Sequence, residues 1–216
     1  MRLLDAVLAR PVAETPGAEF APPGPMDLRA VEVCAVFKVP APALRLLEDD
    51  PKVGTALERF LSEGHLPEAR RMLAHALTRR DAVWWAYLSA MEACRHKPFT
   101  PEQEAGLDRV LAWLVSPTDA GRRACREAIR ACGSTSIAGI LCLAVWLSGG
   151  SVSPYPKRHI EPKPHVCAKL CAAGVYLSSV RFEPARWREH LRHFIDTGLA
   201  VVRGECAIPF PDDARS

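Results

Sequence analysis

Apolar side chains recur every three to four positions along most of the chain, the spacing that gathers them on one face of an α-helix. Val53, Leu57, Phe60 and Leu61 share such a face. Ala69, Met72, Leu73, Ala76 and Leu77 keep the same period, with Arg70, Arg71 and His75 on the opposite side. Leu107, Val110, Leu111 and Leu114 repeat it, as do Cys125, Ala128, Ile129 and Cys132. A last helix carries Trp187, Leu191, Phe194, Ile195 and Leu199. No segment alternates long enough to demand a strand. Val31 to Val39 comes nearest, and we read it as a helix ending before Pro40.

The pattern predicts helices over 27–37, 41–48, 52–63, 66–76, 79–95, 101–115, 117–132, 136–147, 163–179 and 185–203, the first two forming one bent unit. The expected fold is all-α: a single-domain multi-helix bundle, or a short irregular helical array, of about nine helices. Start and stop signals agree. Thr100-Pro101-Glu102-Gln103 is a capping box, Ser116-Pro117-Thr118-Asp119 resembles one, and Thr78-Arg79-Arg80-Asp81 is a looser third. Gly64, Gly133, Gly149 and Gly204 stand where helices should stop. Residues 1–25, rich in Pro, Ala and Gly toward their end, are expected to form a flexible leader. The helical domain is placed at 26–205 and a flexible tail at 206–216.

One link breaks the short-connection rule. Ser148 to Pro162, SGGSVSPYPKRHIEP, is about fifteen residues of non-helical sequence, against about 2–8 for most helix–helix links. Long loops of this kind tend to carry function.

Composition narrows the classes. The 216 residues are 49% hydrophobic and 25% charged, with a net charge of +3, too small to imply nucleic acid. The N-terminal apolar run is too short for a signal peptide and Asp5 interrupts it, so a cytoplasmic location with reduced thiols is expected for the eight cysteines. The longest apolar run, Ile137 to Leu147, falls well short of a membrane span.

Candidate chemistry is sparse. His159, His165, Cys167 and Cys171 form the sole metal-like cluster, but H-x5-H-x-C-x3-C is not a zinc-finger spacing. Buried thiols on a core helix are the better reading, and a metal-binding or enzymatic module centred on those four residues stands as the alternative. The likeness to the H-x-E…P-C-x-x-C deaminase pattern fails at the second cysteine pair. Phosphate-loop, zincin, nucleophile-elbow and dinucleotide motifs are missing. No catalytic residue, metal ligand or cofactor is assigned. Arg122, Arg126 and Arg130 make a basic stripe, read as a solvated helix face because Glu127 interrupts it and no aromatic set accompanies it. Trp84 and Trp85 are adjacent, about 100° apart on a helix. They fit a central helix packed on several sides, the alternative being an indole at a partner surface.

The run Leu73-Ala74-His75-Ala76-Leu77-Thr78-Arg79-Arg80-Asp81-Ala82-Val83-Trp84-Trp85-Ala86 resembles the LAHALPRREAVWWA core of an uncharacterised family of small bacterial proteins. Val145-Trp146-Leu147-Ser148-Gly149-Gly150-Ser151, followed by a Pro-rich loop and Pro164-His165, looks like that family's W-SGGS…P-H element. The resemblance covers roughly residues 30 to 180. Thr78 replaces the family's usual Pro, and Lys157 and Arg158 charge a loop that is often more apolar. Members are often encoded near type VI secretion genes, so the resemblance implies an accessory, adaptor or chaperone-like role and carries over no catalytic residue.

The expectation is therefore a protein-binding adaptor, possessing no membrane segment and disfavouring nucleic acid. Its contact surface is placed at Tyr155, Pro156, Lys157, Arg158 and His159, supported by the helix of Trp84 and Trp85. Tyr and Arg are hot-spot types, and Pro stiffens a loop before docking.

Overall fold

The structure, a computed structural model, describes residues 24–153, 155 and 157–208. The expected flexible leader and tail lie largely outside the described residues. Among those described there is no strand, and a lone antiparallel bridge pairs Arg29 with Lys52. The helices are α1 (Ala30–Cys34), α2 (Ala41–Leu44), α3 (Val53–Ser62), α4 (Leu66–Ala76), α5 (Arg79–His96), α6 (Pro101–Val115), α7 (Asp119–Cys132), α8 (Ile137–Trp146), α9 (Val166–Val180) and α10 (Trp187–Val202). The all-α fold is as expected.

Side-chain hydroxyls start four of these helices. Thr78 accepts from the Asp81 N–H, Thr118 from Gly121 and Ser136 from Gly139, while Thr100 and Gln103 complete a reciprocal capping box. The α7 cap is Thr118 rather than Ser116, because the helix begins only after Pro117. Gly64, Gly133 and Gly204 adopt the positive φ expected at helix ends, and Gly150 takes the role assigned to Gly149.

Arginines close several helix C-termini, where carbonyls lack intrahelical partners. Arg80 donates to the Leu114 carbonyl at the end of α6. Arg181 reaches the Lys97 and Pro98 carbonyls just past α5. Arg59 reaches Leu46.

The centre is built on α5 and α9. α9 packs against α4, α5, α8 and α10, and α5 also meets α6, α8 and α10. Both therefore lack a one-sided apolar stripe. On α9, small residues at Ala172, Gly174, Ser178 and Ser179 let neighbours approach closely; a Cβ on Gly174 would sit 3.0 Å from Leu141. α6, α7 and α8 pack pairwise as one flank, and α3 and α4 form the other with α1. The core runs continuously through these elements, with Phe60, Met72, Leu73, Trp84, Trp85, Leu141, Leu191 and Phe194 all buried.

Candidate functional site

The long link between α8 and α9 is organised from its base. Gly150, at φ +62°, turns the chain directly over Arg122. A Cβ there would lie 2.9 Å from the guanidinium. Arg122 donates to the carbonyls of Trp146 at 2.8 Å and Ser151 at 3.1 Å, and to Asp119. Arg79 donates to the Ser148 carbonyl at 2.6 Å. Two arginines from two other helices thus occupy the carbonyls of the SGGS turn. Arg122 is only 4% exposed, which corrects its assignment to a solvated stripe. Arg123, Arg126 and Arg130 of that helix are exposed, and the first two lie 5.8 and 5.3 Å from the Trp146 ring.

Beyond the turn, the Val152 N–H donates to the Ile160 carbonyl at 2.8 Å, pinching the loop shut. The Ser151 hydroxyl accepts from the N–H groups of Ser153 and Ile160. Ser153 accepts from the Tyr155 N–H at 3.1 Å. These bonds hold a tip on which Tyr155 is 67% exposed and Lys157, Arg158 and His159 are also exposed. His159 Nε2 lies 3.2 Å from Glu161. Pro156 lies outside the described residues.

Trp84 and Trp85 do not reach a surface. Trp84 is 1% exposed and donates its indole N–H to the Cys206 carbonyl at 2.7 Å; its ring stacks on Tyr87. Trp85 is fully buried and donates to the Phe194 carbonyl at 2.5 Å. Their helix is covered on several sides, so both indoles fill the core and neither is presented to a partner.

His159, His165, Cys167 and Cys171 do not gather. Cys167 and Cys171 are fully buried, whereas His159 is exposed beside Glu161. Among the described residues no three His, Cys, Asp or Glu side chains converge as a metal would require. The Cys171 thiol is pushed well up by its contact with Cys167 and by burial, so it stays protonated.

A family of unknown function (DUF6931) matches residues 56–202, more than half of the chain. The chain belongs to this family. No curated protein and no solved structure matches it. The DUF6931 match takes in α4 to α10 and the α8–α9 loop, and so includes Arg79, Arg122 and the SGGS turn.

Two open cavities of similar size also fall largely within the DUF6931 region. One, about 320 Å³, lies between α5, α10 and the link that joins α9 to α10. Phe182 is sandwiched there between His96 and His190, at 4.3 and 4.2 Å. Its carboxylates have partners within the protein: Arg186 bridges Glu183 and Glu189, and Glu92 pairs with Arg95.

The other cavity, about 310 Å³, lies between α4 and α9 and is lined by Arg70, Arg71, His75, Lys169 and Tyr176, with Phe37 at one side. No carboxylate lines it. Arg70 is 8% exposed. Its Nη1 donates to the Ala172 carbonyl at 2.9 Å, and its Nε, fully buried, has no partner among the described residues. The guanidinium lies 5.0 Å from the Tyr176 ring. Burial, and then Arg71, pushes Arg70 down to about 10, which still leaves it charged at neutral pH. Sequence periodicity assigned Arg70, Arg71 and His75 to a helix's outer side; α9 covers that side, and nothing in the local spacing signals it.

Proposed function

We propose that the chain is a non-enzymatic protein-binding adaptor or accessory protein that docks through the α8–α9 loop onto an acidic surface of a partner protein. The observation that carries this reading is the tip itself: an aromatic ring 67% exposed at Tyr155, flanked by Lys157 and Arg158, on a loop tied down by Arg79 and the buried Arg122. Exposed aromatic and cationic side chains are the types that dominate binding energy at interfaces. A loop already held by hydrogen bonds loses less conformational freedom on docking than a free one. Lys157, Arg158 and Lys163 outnumber Glu161 on this segment, which favours an acidic partner face.

Further support for a soluble role is that, among the described residues, no helix is long and apolar enough to cross a membrane. A cytoplasmic setting fits eight cysteines that are all unpaired. Service to a type VI secretion apparatus rests on the motif resemblance alone.

The test is recovery of partners from source-cell extract by the parent chain and by a variant with residues 155 and 157–159 replaced by Gly and Ser. Loss of the recovered partner with an unchanged unfolding temperature is expected. Equal recovery by both proteins contradicts the assignment.

A further inference from the structure

We propose that the cavity between α4 and α9 is a binding site for the phosphate group of a small soluble molecule, independent of the α8–α9 loop. The starting point is a contrast between the two buried arginines. Arg122 spends its donors on Asp119 and on two carbonyls, and its face on Trp146. Arg70 has one hydrogen bond, to Ala172, and an Nε with none. That Nε is enclosed and is not itself reached from the cavity, but the same guanidinium lines it, and a buried cation held by a single hydrogen bond is under-compensated, so an anion alongside it is favoured.

The surroundings specify an anion. Arg71 and Lys169 line the same cavity, as does His75, and no acidic side chain does. The carboxylate at hand is Glu68, itself 7% exposed, and it lies 3.9 Å from Arg71. One carboxylate against three fixed cations leaves an excess of positive charge. His75 registers that field: Lys169 and His165 add to burial in disfavouring its charged form.

The donor set favours phosphate over a simple carboxylate. Guanidinium and ammonium groups approach from two helices, and a phosphate offers three terminal oxygens to accept from them. The walls are aromatic. Phe37 stacks on His75 at 5.4 Å, and Tyr176 is 40% exposed. At about 310 Å³ the space suits a small phosphorylated compound, with the ring faces left for its organic part.

The experiment is calorimetric titration of the full chain with inorganic phosphate and with pyrophosphate, at ionic strength matched with chloride. Saturable binding is expected, and it should weaken at least about tenfold in Arg71→Gln/Lys169→Met, where two charge-assisted contacts are lost. Both side chains are partly or fully exposed, so this variant keeps the fold where Arg70→Met does not serve. Arg130→Gln, at an exposed position on α7 that does not line the cavity, should bind as the parent does. In a parallel NMR titration the His75 ring should take up its proton at higher pH when phosphate is bound, because an added anion favours imidazolium. Absence of saturable binding overturns the proposal, and so does equal binding by the double variant. Retention on phosphatidylcholine vesicles containing phosphatidic acid, without binding of either soluble probe, also overturns it, since a membrane headgroup is then the source of the phosphate.

Discussion

The Arg122 guanidinium lies 4.3 Å over the Trp146 ring and donates to the Trp146 carbonyl at 2.8 Å, so one side chain holds both the indole and the backbone at the end of α8. The same guanidinium reaches Ser151 four residues beyond Leu147, and the loop begins from that anchor. Replacing it leaves the buried Trp146 carbonyl and the half-buried Ser151 carbonyl without this donor. Arg122→Met is expected to lose about 2–3 kcal/mol in urea unfolding, with faster amide exchange over 148–153. Arg122→Lys should recover little, because an ammonium cannot make the forked contacts or the stack. A variant as stable as the parent contradicts this role.

Gly198 tests the packing around Trp85. A Cβ there would lie 2.7 Å from Leu73 Cδ2 and 2.8 Å from the Trp85 ring, atoms that have nowhere to go in a filled core. Gly198→Ala should destabilise by roughly 1–3 kcal/mol through overpacking, and should perturb Trp near-ultraviolet circular dichroism. Unchanged stability and spectrum mean that α10 does not press on Trp85 as described.

The thiols offer a kinetic check. Cys34, Cys125, Cys132, Cys142, Cys167 and Cys171 are buried, and Cys94 and Cys206 are half-buried. Burial pushes Cys34 and Cys132 up to about 11, and the Cys142 thiol is also raised, by Cys125 and by burial. A thiol-specific reagent at pH 7.5, added to native protein, is expected to label Cys94 and Cys206 first, the other six following only at the unfolding rate. Fast labelling of Cys167 or Cys171 by mass spectrometry contradicts their place in the core.

His75 gives stability a pH dependence. Burial, followed by Lys169 and His165, pushes it from 6.5 down to about 4. Between these values the unfolded chain binds a proton at His75 and the folded chain does not. Stability present above pH 6.5 is therefore lost as pH falls toward 4, and the loss levels off below that. In phosphate-free buffer, His75→Gln should flatten this part of the stability–pH curve. An unaltered slope assigns the dependence to other groups.

The helical architecture was legible because its main cause, apolar spacing, is local. Leu66–Ala76 and Pro101–Val115 match their predicted ranges, and Thr100 caps as its motif implies. The earliest segment was less so: the predicted 27–37 helix is five residues long, Ala30–Cys34, because at its start the Ala30 N–H donates to the Pro51 carbonyl and the Leu28 carbonyl accepts from the Val53 N–H. The loop tip was legible from its length and composition. Arg79 and Arg122 were not, since their partners lie 69 and 24 residues away. Arg70 was missed for the same reason: its carbonyl partner, Ala172, is 102 residues distant. Trp84 and Trp85 were ambiguous on sequence because adjacency on a helix is compatible with either full enclosure or one exposed ring. Enclosure by several helices decided it.

The most direct test of the loop's role is site-specific photocrosslinking in the source cell, with the reactive side chain placed at Tyr155 or, for comparison, at Leu44, which is 53% exposed on α2. Adducts with one protein partner from position 155, absent from position 44 and abolished by Lys157→Glu/Arg158→Glu, are the expected result. Adducts from position 44 alone, or adducts from 155 that survive the charge reversal, would contradict docking through this basic, tyrosine-bearing tip.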